Sequence, residues 1–243
     1  MWSLKISIAA LALTAAGGTV ALAAASGGVT AALNVTPLRL EFGDGQQNSQ
    51  LLLRNDSLQE VGIQVRIFAW TQDAAGDHFQ QSADFTLYPS IMRIEPGLTQ
   101  TIHVVSAAPR VIGRELAYRV VIDQLPQSVS SIEGAAQTRL RLTLPLFAQS
   151  DKSRPGEIRF AVASDHLTIS NIGGRSVKLA NVTLRQGATV IDVPSEIGLH
   201  YVLAGAALQF DLPAGLSCAG PPVTVSGSVD SKAFNAAAPQ NCS

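Results

Sequence analysis

The run Thr138-Arg-Leu-Arg-Leu-Thr-Leu-Pro-Leu-Phe-Ala148 constrains the fold more than any other stretch of the chain. Leu140, Leu142, Leu144 and Leu146 share one parity, whereas Arg139, Arg141 and Thr143 share the other. Strict alternation over this length predicts a β-strand with one apolar face, because a period of 3.6 would scatter the leucines around a helix. Pro145 places the strand at a sheet edge or close to its own end, since proline has no N–H to give to a ladder. An edge strand with a row of leucines invites pairing with another chain unless something covers it.

Read in order, the rest of the chain has the same character. Leu33–Phe42 alternates, with Pro37 marking an edge or a strand switch, and Gln50–Asn55 follows a turn cluster at 43–49. In Val61–Thr71, Val61, Ile63, Val65, Ile67 and Ala69 form one face and Gln64, Arg66, Phe68 and Trp70 the other. The first face reads as core; Phe68 and Trp70 suit either core or an exposed patch. After a turn at 73–77 comes a less regular section that ends in Glu95-Pro-Gly97, a preset tight turn. Strands are expected at Leu98–Ala107 and Leu116–Leu125, and a serine-rich loop at 127–137 delivers the chain to the leucine strand. Seven strand-like runs without an amphipathic helix predict an immunoglobulin-type sandwich over 33–149. Asp151-Lys-Ser-Arg-Pro-Gly156 reads as a linker. A second sandwich is expected over 157–243, with strands near 157–163, 166–171, 177–185, 189–193, 201–203, 207–212 and 223–229. The fold class is therefore all-β.

The N-terminus reads as a secretory signal over residues 1–25: Lys5, an apolar run from Ile6 to Ala16, then Ala21-Leu22-Ala23 for cleavage. The glycine break at Gly17-Gly18 leaves that run too short for a comfortable membrane anchor. Export to an oxidising compartment makes a Cys218–Cys242 disulfide the expected state of the two cysteines. In the chain-entropy picture such a bridge stabilises its half of the chain by roughly 3 kcal/mol. A formal net charge of −1 and the absence of a basic block argue against nucleic-acid binding.

No catalytic constellation emerges. His78, His103, His166 and His200 lack close ligand spacing, no serine sits in a Gly-x-Ser-x-Gly elbow, and no glycine-rich loop opens a helix. No enzyme activity, metal or cofactor is expected.

Taken together, Val35-Thr-Pro-Leu-Arg-Leu40, Leu53-Arg-Asn-Asp-Ser57, Ala69-Trp-Thr-Gln72, Tyr88-Pro-Ser-Ile91, Ile94-Glu-Pro-Gly-Leu-Thr-Gln100, Arg114-Glu-Leu-Ala-Tyr-Arg119, Leu125-Pro126 and the leucine strand form an ordered set. Leu167-Thr-Ile-Ser-Asn-Ile-Gly-Gly174 and Tyr201-Val-Leu-Ala-Gly205 extend it into the second half. This set resembles the PapD-like periplasmic pilus chaperones, and the Leu-Pro-Leu-Phe ending resembles the archaic, spore-coat-U or Csu-type systems.

The resemblance implies two immunoglobulin-like domains in an L-shaped arrangement and a periplasmic location. It also implies donor-strand complementation, in which Leu140, Leu142, Leu144 and Leu146 complete the fold of a pilus, fimbrial or spore-coat-U-like subunit. An outer-membrane usher then receives the subunit, and the free chaperone is expected to cap itself as a homo-oligomer. Arg39 matches the arginine of the family's basic pair for the subunit's C-terminal carboxylate. Pro145 stands where the lysine of that pair belongs, so either Arg139 or Arg141 is the substitute, with Arg141 taken as Arg39's partner, or the anchor is weaker here. The competing reading is a two-sandwich structural or adhesive subunit of a surface fibre. Against it, residues 24–32 lack the bulky apolar residues of a donor extension.

Overall fold

The computed structural model describes residues 32–107, 113–126, 139–163, 165–194, 197, 199–212, 216 and 219–240. The signal segment, the serine-rich loop and both cysteines lie outside the described residues.

The first half contains β1 (Leu33–Thr36), β2 (Leu40–Phe42), β3 (Asn48–Asn55), β4 (Val61–Asp73), β5 (Gly76–Gln81), β6 (Phe85–Tyr88), β7 (Ile91–Ile94), β8 (Thr99–Ser106), β9 (Leu116–Gln124) and β10 (Arg141–Ala148). One sheet runs β1-β3-β8-β6; the other runs β2-β10-β9-β4-β5, with β7 on the far part of β4. Pro37 marks a strand switch: β1 is antiparallel to β3 in one sheet, and β2 is parallel to β10 in the other. The section read as irregular forms β5, β6 and β7, each too short to announce a period of its own.

The parity reading of β4 holds over its first half, where Val61, Ile63, Val65 and Ile67 are buried between the sheets with Leu51, Leu53, Ile102 and Val104, and Ala69 is half-buried against the same core. Asn55 is fully buried and ties the sheet ends together. Its Nδ2 donates to the Gln59 and Ile94 carbonyls at 2.7 and 2.9 Å, and its Oδ1 accepts from the Ser57 N–H and Oγ–H. Its carbonyl also accepts the Gly97 N–H at 2.7 Å, which fastens the Glu-Pro-Gly turn; Gly97 has φ 73°, a conformation suited to glycine. Removing the amide strands several buried polar groups at once. We expect Asn55→Ala to lower unfolding free energy by about 3 kcal/mol, read as an earlier urea midpoint at unchanged slope. A loss below about 1 kcal/mol would mean that the bonds are replaced at little cost.

The second half contains β11 (Ile158–Val162), β12 (His166–Asn171), β13 (Val177–Gln186), β14 (Thr189–Ile191), β15 (Leu199–Val202), β16 (Ala207–Asp211), β17 (Val223–Val229) and β18 (Lys232–Ala238). Sheet β11-β12-β16 faces sheet β14-β13-β17-β18, with β15 also on β13, around Leu167, Ile169, Leu179, Leu184, Val223 and Val225. Asn171 repeats the role of Asn55, donating to Arg175 and Val202 carbonyls and accepting from Glu157 and Gly173 N–H groups. The expected linker is not a free tether. Asp44 accepts bonds from Ser150 Oγ and the Asp151 N–H, and the Arg154 carbonyl accepts the Gly174 N–H.

Candidate functional site

The site is built on the unequal cover of β10. Along one side it pairs with β9 over its whole length, from Arg141↔Asp123 to Ala148↔Leu116. On the other side β2 covers only Leu146, Phe147 and Ala148. Among the described residues no strand pairs with residues 141–145 on that side, where Arg141 and Thr143 are exposed while Leu144 and Pro145 are buried, so this stretch is an open sheet edge among the described residues.

The direction of the main-chain groups follows from two bonds. The Leu140 carbonyl accepts the Gln124 N–H of β9, so even-numbered residues turn their backbone groups to β9. The Gln149 N–H donates to the Phe42 carbonyl on the β2 side, so odd-numbered residues turn outward. Arg141 and Thr143 thus present their N–H and C=O groups to the open edge. Pro145 costs no ladder bond, because the N–H it lacks belongs to the outward set.

The leucine row is graded. Leu146 and Leu144 are 0% and 6% exposed and sit in this sandwich's own core. Leu142 is half-buried at the rim of that core, and Leu140 is half-buried beyond it. Of the four candidate donor leucines, Leu140 and Leu142 are the two with area to share.

On the outward face, Phe147 is fully buried against the second half of the chain. Its ring lies 6.3 Å from Trp70 and 5.5 Å from Tyr201. Trp70 is 2% exposed and Phe68 half-buried, so these two residues of one parity part company: Trp70 belongs to the junction between the halves. Gln72 fastens that junction by donating to the Tyr201 carbonyl and accepting the Leu203 N–H, both at 2.8 Å.

Arg39 leads into β2, and its Cζ lies 4.6 Å from the Phe147 ring centroid. Its Nε is 2.6 Å from Glu41 Oε1, an ion pair whose angle makes no hydrogen bond, so this buried N–H has no acceptor. Arg39 lines a cleft of about 450 Å³ together with Glu41, Glu115 and Arg175. Burial pushes the Glu115 carboxyl above its ordinary range, and it accepts the Ser176 N–H at 2.9 Å. Arg141 is elsewhere, six residues up β10 from Phe147. It pairs with Asp123, which also accepts from Arg66 at 2.6 Å. Burial pushes the Asp123 carboxyl up, but the two guanidinium groups outweigh this and hold it below the usual carboxylate range. The structure does not bring Arg141 to Arg39.

Reading the sequence missed Arg119. It lies on β9 directly opposite Pro145, and its Cζ is 3.5 Å from the Trp70 ring centroid. Its signal was indirect: Arg119 sits between Tyr118 and Val120, both buried, on the parity that turns away from the core. Among the described residues, no group of three or more His, Cys, Asp or Glu residues is placed to hold a metal, and no helix is long and apolar enough to cross a membrane.

Comparison with known proteins now places this architecture. Residues 32–153 match the family model for the pili and flagellar-assembly chaperone, PapD N-terminal domain. The chain belongs to this family: it is a pilus-assembly chaperone with two immunoglobulin-like sandwiches. No curated protein matches the sequence. Among solved structures, the fold is similar to a chain of the CsuC–CsuE chaperone–tip adhesion subunit pre-assembly complex from the archaic chaperone-usher Csu pili of Acinetobacter baumannii. That likeness has a TM-score of 0.67 at 17% identity, and covers 87% of this chain and 100% of that one. The E. coli chaperone DraB gives a TM-score of 0.61 at 17% identity, covering 85% and 98%. The Pseudomonas aeruginosa CupB2 chaperone gives 0.58 at 17%, covering 86% and 100%.

Proposed function

We propose that this chaperone acts in the periplasm without enzymatic chemistry, holding fibre subunits by strand addition at β10 and passing them to an outer-membrane usher. The observation that carries the reading is the open edge at 141–145. It joins outward backbone donors and acceptors to a leucine row whose far end, Leu144 and Leu146, is anchored in the chaperone's own core. A subunit with an unfinished sheet gains a ladder from Arg141 and Thr143 and apolar cover from Leu140 and Leu142. Fully burying one leucine contributes roughly 1.5–3 kcal/mol, so two such side chains weigh heavily on a marginal subunit. No nucleotide is needed, because the subunit's folding supplies the free energy.

The rival reading, a fibre subunit, requires an unfilled strand position; here β10 occupies the place beside β9. Co-expression with a candidate fibre subunit tests the proposal through recovery of a one-to-one complex from periplasmic extract. Arg39→Ala should leave the fold intact and weaken capture about tenfold, the worth of a charge-assisted bond. Unchanged complex yield in a titration would remove Arg39 from the site.

A further inference from the structure

We propose that Arg141, Arg66 and Asp123 select the strand that joins β10: one with a carboxylate beside Arg141 is admitted, and one with a cation there is rejected. The inference rests on the strand-addition reading above and adds to it the kind of subunit strand that is taken.

The three residues share the sheet face that points away from the first core. On β9, Asp123 is paired with Arg141 of β10 and Gln64 of β4, and Val121 with Thr143 and Arg66. Arg66 is thus the diagonal neighbour of Asp123, and Arg141 its direct one. A residue added opposite Arg141 on the open edge turns its side chain to the same face, whichever way the added chain runs, because directly paired residues lie on one side of a sheet. Its Cβ then stands about 5 Å from that of Arg141.

Two cations share one anion here. Arg141 donates its Nε–H to Asp123 Oδ1, and Arg66 donates from Nη2 to Oδ2. The remaining N–H groups of both forks are left for other acceptors, with the Arg141 and Arg66 side chains 65% and 43% exposed. Burial works against the charge on Asp123, yet the two guanidinium groups hold its carboxyl below the usual range, so it stays ionised. The three groups therefore carry one net positive charge, in a chain whose formal net charge is −1. Arg139, exposed just ahead of β10, adds a second.

The leucines cannot make this distinction. Leu140 and Leu142 offer apolar area to any strand that is apolar on its inner face. On the outer face, an added strand covers part of Arg141 and displaces its water, so the charge of the residue opposite begins to count. A carboxylate there takes up the free donors of the fork. A lysine meets two guanidinium groups and one anion that is already shared, and this rejection is as much a source of specificity as the attraction. Thr143 is the next side chain on that face and Pro145 beyond it is buried, which confines the demand for charge to the end of the edge far from Phe147. A triad that only stitched β4, β9 and β10 together would affect stability and leave the choice of strand untouched.

The test uses three fluorescein-labelled peptides of alternating valine and threonine, amidated at the C-terminus and identical except for aspartate, asparagine or lysine in place of the central threonine. Anisotropy titrations against the full chain at low salt should show the aspartate peptide bound about fivefold tighter than the asparagine one, and the lysine peptide weaker by a similar factor. Both ratios should shrink toward one at about 1 M NaCl, where charges are screened within roughly 3 Å. Arg141→Gln should lose most of the preference for aspartate while keeping the affinity for the asparagine peptide and the thermal melt. Arg141→Glu should reverse the order of the aspartate and lysine peptides, and Arg39→Gln should keep it. Equal affinities of the three peptides for the unmodified chain, or an aspartate preference that survives both Arg141 variants, overturns the selection. If no peptide binds the unmodified chain, or Leu142→Asp leaves all three bound as before, strand addition itself is overturned.

Discussion

Leu142→Asp is expected to yield a folded, soluble chaperone that recovers none of its subunit. Leu142 sits at the rim of the first core, half-buried, while Leu144 and Leu146 below it remain in place. In the free chain the new carboxylate can turn toward water at an open edge. In the complex that edge is covered, and the same carboxylate would be buried against the subunit's apolar groove without a partner. An isolated buried charge is penalised by several kcal/mol, which exceeds what the one leucine contributes and abolishes useful affinity. Periplasmic yield of subunit on co-expression, beside a thermal melt of the variant alone, separates the two effects. Normal subunit yield would refute the assignment of this edge.

The reverse outcome is expected four residues further on. Leu146 is fully buried, paired with Tyr118 on β9 and Leu40 on β2, and opens to no surface. Leu146→Ala should lower chaperone stability by about 2–5 kcal/mol through lost transfer energy and the cavity left behind. Denaturant titration reads this directly, and the loss should be the same with or without subunit sequences in the experiment. Binding measured well below the unfolding midpoint should change little. If Leu146→Ala instead impaired capture at unchanged stability, the division of β10 into a docked half and an anchored half would be wrong. One strand therefore does two jobs: its far end is held rigid by its own domain, and that rigidity presents the near end in a fixed register.

Several parts of this arrangement were legible in the chain. The alternation in 138–148 announced the strand and its apolar face, because a period of two is a local property of extended backbone. Pro37 announced an edge or a strand switch, of which the structure makes it the switch, and the apolar parity of Val61–Ile67 announced the core. Trp70 reads from the sequence as either core or surface because its partners, Phe147 and Tyr201, are far away along the chain. β18 went unseen, since Lys-Ala-Phe-Asn-Ala-Ala-Ala has little bulk to alternate; it forms by pairing with β17 through a turn at Asp230 and Ser231, both at positive φ.

What the amino-acid order determined by itself is which residues are extended and which way each side chain faces, since both follow from the geometry of a few neighbouring residues. Where the ladder stops, which leucines are spent on the chaperone's own core, and that Arg119 rather than Arg141 shares the Tyr201 ring with Arg39 at the junction were decided only in three dimensions. These depend on pairing between segments brought together from distant parts of the chain, and no local period carries that information.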